Sequence, residues 1–201
     1  DITSAALEPE RFDNYEVGLK WNVRPSLNLT AAIYQLDRTN TRATDPADPS
    51  RVVLTGEQRS KGLELGLSGE ITPQWHVSAG FAWQDVEVRK TTSAAPKGRT
   101  IPLVPEQQVS FWSRYDFTPR FGAGLGVYHQ SKSFTSISNA VVLPAFTRVD
   151  AAAFIRLSAN IAGQLNVENI LGNRYFASAF NDNNIMPGAP TTARATLRFN
   201  F

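Results

Sequence analysis

Residues 192 to 201 read Thr-Ala-Arg-Ala-Thr-Leu-Arg-Phe-Asn-Phe, and their alternation decides the fold. Ala193, Ala195, Leu197, Phe199 and Phe201 fall on one face of an extended chain, and Arg194, Thr196, Arg198 and Asn200 on the other, because successive side chains of a strand point to opposite sides. The same two-residue period recurs upstream. Leu63, Leu65 and Leu67 oppose Gly62, Glu64, Gly66 and Ser68; Trp75, Val77, Ala79, Phe81 and Trp83 oppose His76, Ser78, Gly80, Ala82 and Gln84. Val149, Ala151, Ala153, Ile155 and Leu157 oppose Arg148, Asp150, Ala152, Phe154 and Arg156. Helical spacing is scarce, so the chain reads as all-β. About nine strands are expected, near residues 15–23, 28–39, 59–69, 75–89, 107–116, 121–132, 147–157, 161–169 and 192–201. In 28–39 the facing stays open, since Leu29, Ala31 and Ile33 compete with Ala32, Tyr34 and Leu36.

The connections alternate in length. Short turns at 24–27, 71–74, 117–120 and 158–160 separate long polar loops near 40–58, 90–106, 133–146 and 170–191. A soluble sandwich has no reason to segregate its loops this way, whereas a transmembrane barrel puts short periplasmic turns at one rim and long extracellular loops at the other. Aromatics gather at the turn ends: Trp21, Trp75, Tyr115, Phe117, Phe121, Phe199 and Phe201, where an interfacial girdle belongs. The expected architecture is an antiparallel transmembrane β-barrel wall. Nine strands make an odd number, while single-chain bacterial barrels normally have an even one. The chain, residues 1–201, is therefore expected to be the C-terminal part of a larger barrel, entered from an extracellular segment of about 14 residues.

Composition excludes several alternatives. With 42% hydrophobic and 19% charged residues the chain can fold, and without a long apolar run it has no spanning helix. Twenty basic residues against 18 acidic ones leave +2, too little and too scattered for a nucleic-acid surface. Zero cysteines remove disulfides, thiolate metal sites and a Cys nucleophile. The two histidines, His76 and His129, lie on separate strands with no carboxylate at ligand spacing in sequence, so no metal site is expected. Gly122, Gly124 and Gly126 do not open a helix; spaced by two, they line one face of a strand and suit close packing better than a phosphate. Asp182, Asn183 and Asn184 lack the rest of a calcium loop and read as a polar turn. No G-x-S-x-G elbow or ordered Ser, His and Asp set exists, so no catalytic residue is assigned and the chain is not expected to be an enzyme.

Charges fall on the polar face by alternation: Glu16, Lys20, Glu64, Arg114, Asp116, Arg148, Asp150, Arg156, Glu168, Arg194 and Arg198. Near the midplane of the lipid face an Arg or Lys would cost about 2–4 kcal/mol. On the lumen side such groups can pair with one another, and an ion-pair network is the expected role.

Four stretches resemble a known family: LEPERFDNYEVGLKW from Leu7, RSKGLELGLSGEITPQW from Arg59, LPAFTRVDAAAFIRL from Leu143 and NVENILGNRYFASAFNDNNIMPGAPTTARATLRFNF from Asn166. They resemble the C-terminal barrel of TonB-dependent outer-membrane receptors, most closely ferric-siderophore receptors of the catecholate type. LGNRYF departs from the more usual family wording, in which an apolar-Asp-Lys stretch precedes the Tyr. The resemblance spans essentially the whole chain but only the last nine of an implied 22 strands, a width that calls for a plug in the lumen. It implies a Gram-negative outer membrane and energy-coupled import of a ferric siderophore. It also implies a plug domain and a TonB box, neither of which is in this sequence, and contact with the TonB complex. Iron would be cargo in its chelate, with no resident metal or cofactor. A terminal strand ending in Phe201 resembles the signal read by the barrel-insertion machinery.

A ferric catecholate is anionic and aromatic-rimmed, which suits Arg, Lys and aromatic partners. The candidates in the loops and upper strand ends are Arg89, Lys90, Lys97, Arg99, Lys132, Phe134, Arg174, Tyr175 and Phe176; taken singly, each is an ordinary solvated loop residue. Two other classes stay open at this point: a self-contained small outer-membrane barrel, such as an adhesin or hydrolase, and a soluble all-β binding module.

Overall fold

A computed structural model describes residues 9–44, 47–92 and 95–201, and the absences stated below concern those residues. The chain forms strands β1 (Arg11–Arg24), β2 (Leu27–Thr44), β3 (Val52–Thr72), β4 (Trp75–Val88), β5 (Gln107–Thr118), β6 (Phe121–Gln130), β7 (Ser133–Phe134), β8 (Val142–Leu143), β9 (Phe146–Arg156), β10 (Ile161–Glu168), β11 (Phe176–Asn181), β12 (Asn184–Pro187) and β13 (Thr192–Phe199). Nine of them build one antiparallel sheet in the order β1-β2-β3-β4-β5-β6-β9-β10-β13. Each long strand pairs with the next long one, which is the up-and-down order of a barrel wall. The remaining four form two small hairpins, β7–β8 and β11–β12, inside long loops.

Register carries the alternation across the sheet. Val17 pairs with Ile33, Ile33 with Leu63 and Leu63 with Trp83; Leu125 pairs with Ala151 and Leu165 with Ala195. This outer face leaves large apolar side chains exposed in every long strand, from Val17 at 72% and Ile33 at 60% to Leu197 at 61%. Water would not tolerate so extensive an apolar surface; hydrocarbon does. The open question in β2 is settled by its neighbours: Leu29, Ala31 and Ile33 join the apolar face, and Ala32, Tyr34 and Leu36 the polar one.

The aromatic girdle forms at the short-turn end. Trp75 pairs with Tyr115, Tyr115 meets Phe117 edge-on at 5.2 Å, and Phe117 stacks on Phe121 at 6.0 Å. A second interfacial level is marked by Tyr15 and Trp83, the latter donating its indole N–H to Glu106 at 3.0 Å. Along β4 the two levels are eight residues apart, about 27 Å at 3.4 Å per residue. Tilted by about 40° that spans roughly 21 Å, close to the apolar band of outer-membrane barrels.

Small residues on the polar face make room for large ones. A Cβ on Gly124 or Gly126 would meet the Trp112 ring at 2.6 and 2.8 Å, so the expected one-face glycine row serves as the bed of an indole. Tyr34 lies likewise over Gly62 and bonds Ser60 at 3.2 Å and Gln84 at 3.3 Å.

The strands run further than the sequence reading placed them. β2 and β3 stay paired from Leu27↔Gly69 to Thr44↔Val52, with bulges beyond Arg38, so much of the expected 40–58 loop is ladder. Above Trp83 the outer face becomes ionic, with Arg59–Asp37 at 2.6 Å, Lys61–Asp85 at 3.2 Å and Arg89–Glu87 at 2.6 Å. Such a ribbon belongs in the headgroup region and beyond, not in hydrocarbon.

Candidate functional site

The long loops knit into a layer over the upper end of the wall. Val88, Ala95 and Ile137, all under 2% exposed, form a small core with Ile101 against it. Asn139 grips Thr100 twice, accepting from its N–H at 2.8 Å and donating to its carbonyl at 2.9 Å. Leu103 N–H donates to Phe134 O at 2.8 Å, and Arg99 donates to Ser138 O. The β11–β12 hairpin is fastened by Asp182, whose carboxylate accepts from the hydroxyls of Thr135 and Ser138. Burial opposes its ionisation, and hydrogen bonds from Thr135, Ser136 and Ser138 outweigh it, holding the carboxyl below the usual Asp range.

Beneath this layer Asn169 organises the loop that follows β10. It is 1% exposed and adopts φ of 53°, a left-handed conformation that Asn tolerates. Its N–H donates to Asp150 at 2.8 Å, its side-chain amide donates to Asn173 O and Ala189 O, and its side-chain oxygen accepts from Asn173 N–H. Thr191 closes the same knot by donating to Asn169 O at 2.7 Å. Every polar group of one buried side chain is thus spent on loop geometry, which explains why the stretch NILGNRYF has its form.

The knot delivers Tyr175 onto the polar face. Its ring stacks on Phe146 at 4.2 Å and 24°, and Phe146 lies 5.8 Å from Tyr128. Tyr128 accepts from Gln108 at 3.3 Å and donates to Gln130 at 3.0 Å. Arg148 adjoins Tyr175 and is held by Asp150 at 2.9 Å. Three aromatic rings, two amides and a fixed guanidinium form a corner that can stack an aromatic ligand and neutralise an anionic one.

Of the loop residues singled out in sequence, Tyr175 enters this corner. Arg174 and Phe176 flank it and are exposed. Arg99 and Phe134 hold loops together, Arg89 pairs with Glu87 on the outer face, and Lys90, Lys97 and Lys132 are exposed. Tyr128, Phe146 and Arg148 were not among the ligand candidates. They sit on strands β6 and β9 that flank the 133–146 loop, and only register shows that they meet.

Among the expected inward charges, two i,i+2 pairs form: Arg114–Asp116 and Arg148–Asp150, each at 2.9 Å. Glu64, Arg156, Glu168, Arg194 and Arg198 make no ion pair among the described residues. His76, without a carboxylate neighbour in sequence, gains two in space: Glu70 at 3.6 Å and Asp116 at 3.8 Å, one for each ring nitrogen. His129 lies on the outer face and bonds Thr147 at 2.8 Å. No group of three or more metal-ligating side chains occurs among the described residues. Asn183 and Asn184 donate their N–H groups to the Asn181 side chain, closing the expected polar turn.

A sheet with one face for lipid and one for a lumen, turned tightly at one rim and knitted by loops at the other, defines the wall of an outer-membrane β-barrel. Residues 1–170 match the family described as TonB dependent receptor-like, beta-barrel. The chain is 34% identical over 185 residues to a probable TonB-dependent siderophore receptor, PiuA, of Acinetobacter baumannii, covering 87% of this chain and 25% of that receptor. It is 30% identical over 201 residues to the catecholate siderophore receptor Fiu of Escherichia coli K12, covering 96% and 26%. The crystal structure of the A. baumannii receptor superposes with a TM-score of 0.82 at 31% identity over 94% of this chain and 28% of that one. This chain belongs to the TonB-dependent receptor β-barrel family, whose members are outer-membrane proteins of Gram-negative bacteria and receptors rather than enzymes. The adhesin, hydrolase and soluble-module readings are thereby set aside. The chain spans about a quarter of the length of the curated relatives it matches.

Proposed function

We propose that residues 1–201 are the C-terminal part of the barrel of a receptor that imports a ferric siderophore, with energy supplied through the TonB complex and a plug domain lying outside this sequence. The observation that carries the ligand class is the Tyr128–Phe146–Tyr175 corner with Arg148 beside it. It offers stacking surface and one cation to a ferric catecholate, as relatives that bear siderophore names support. Iron is cargo held by its chelator, and no resident metal or cofactor takes part.

The test uses the full-length receptor in detergent, titrated with a ferric catecholate while tryptophan fluorescence is followed. Tyr175→Ala and Phe146→Ala each remove a stacking partner, and loss of about 1.4 kcal/mol weakens binding about tenfold. Unchanged affinity in both variants, with correct folding shown by heat modifiability, would overturn the assignment of this corner.

Phe201 follows β13, with Leu197, Phe199 and Phe201 continuing the apolar alternation of that strand. We assign it to recognition by the barrel-insertion machinery rather than to the girdle alone. Deleting it lowers the receptor's level in outer-membrane fractions; an unchanged level leaves it only an interfacial aromatic.

A further inference from the structure

The Tyr175 ring is covered on both faces. Phe146 stacks on one of them at 4.2 Å. A Cβ added to Gly188 would overlap Cδ2, Cε2 and Cζ of the same ring. To meet three neighbouring ring atoms at once Gly188 must lie over a face, and Phe146 already fills the other. The Gly188 N–H donates to Tyr175 O at 2.7 Å, which closes the base of the β11–β12 hairpin and holds the two residues against each other. What Tyr175 leaves uncovered is the edge that carries its hydroxyl. That hydroxyl meets Arg148, which stands across from Tyr128 in the register of β6 and β9.

Asp150 takes N–H groups of Arg148 from Nε at 3.2 Å and from Nη2 at 2.9 Å. A guanidinium has further N–H donors and no acceptor, so toward Arg148 the Tyr175 oxygen can only accept. Its own O–H is left to donate elsewhere, strengthened by the cation behind it. The Asn169 knot aims both groups. Its N–H fixes Asp150 at 2.8 Å and through it Arg148, while its side-chain amide ties Asn173 and Ala189, which bracket the segment from Tyr175 to Gly188. We propose that Tyr175 selects its ligand through the hydroxyl and not through the ring face. Hydroxyl and Arg148 together form a two-donor receptor for an anionic oxygen of the chelate, and Gly188 is the positioning residue that keeps the hydroxyl in place. The inference deepens the reading of the aromatic corner given above and rests on it. Stacking on the ligand then falls to Tyr128, at the open end of the row of rings.

The full-length receptor in detergent is titrated with a ferric tris-catecholate while tryptophan fluorescence is followed, and heat modifiability controls for folding. Tyr175→Phe keeps the stack and removes only the hydroxyl. It is expected to weaken binding about fivefold, most of what Tyr175→Ala loses. Gly188→Ala is made in the native receptor and again beside Tyr175→Ala. The expected loss is about fivefold in the first and less than about twofold in the second, because Gly188 acts through Tyr175. Native affinity in Tyr175→Phe with a loss in Tyr175→Ala overturns the proposal and leaves the corner reading standing. An equal loss from Gly188→Ala with and without Tyr175 overturns the positioning role and makes Gly188 a general support of its loop. If Gly188→Ala does not fold, Tyr175→Phe against Tyr175→Ala still decides the role of the hydroxyl. Native affinity in Tyr175→Ala overturns the proposal too, and when Phe146→Ala is also native the corner reading falls with it.

Discussion

At the scale of single residues the facing of each side chain is the quantity with the largest energetic consequence. Leu65 stands on the outer face between Ala31 and Phe81, well inside the two aromatic levels, and Leu65→Arg there costs about 2–4 kcal/mol. Thr30→Arg, on the inner face above the space left by Gly66, places the same charge beside a wet lumen. In the full-length receptor the first variant is expected to lose outer-membrane abundance and heat modifiability, and the second to retain both; equal abundance would contradict the facing. Glu64 and Leu65 could be placed from sequence because lipid tolerates so few exceptions on its side. Ala32, Tyr34 and Leu36 could not, because the inner face accepts apolar groups wherever a partner strand leaves a gap. Tyr34 lies over Gly62, and that information resides on β3.

Elements differ from their sequence reading mainly above the membrane. Once the outer face reaches Asp37, Arg59 and Asp85 it is ionic, the apolar-polar alternation disappears, and the ladder of β2 and β3 continues without it. The β7–β8 and β11–β12 hairpins were read as loop because strands of two to six residues held by side-chain latches leave no period to detect. The Asp182 latch makes a pH-dependent prediction. A depressed carboxyl pKa in the folded state means that its stabilisation is present above the unfolded value, about 3.9, and is lost as pH falls through the folded one. At pH 7, Asp182→Asn weakens the union of the two hairpins by about 1 kcal/mol after allowance for solvent. Amide exchange in residues 133–143 and 176–187 should rise about fivefold. Below the folded pKa the native and variant proteins converge, and a difference that persisted there would remove the carboxylate from the account.

For the whole molecule, the number and order of the wall strands were legible in turn lengths and aromatic placement, since both follow from the thickness of the bilayer. The aromatic corner was not, because Tyr128, Phe146 and Tyr175 come from three segments that only register and the Asn169 knot bring together. The same topology leaves β1 and β13 with an unpaired edge each. In hydrocarbon every unpaired backbone group costs several kcal/mol, and in water the apolar face, with Val17, Ile33 and Leu197 mostly exposed, has no second layer to cover it. Residues 1–201 as an isolated chain are therefore a wall without its closure. Analytical ultracentrifugation of the purified 201-residue chain without detergent, with a thermal melt alongside, tests this most directly. The account predicts association or aggregation with no cooperative transition of a monomer, and a detergent-free monomer that unfolds cooperatively would contradict it.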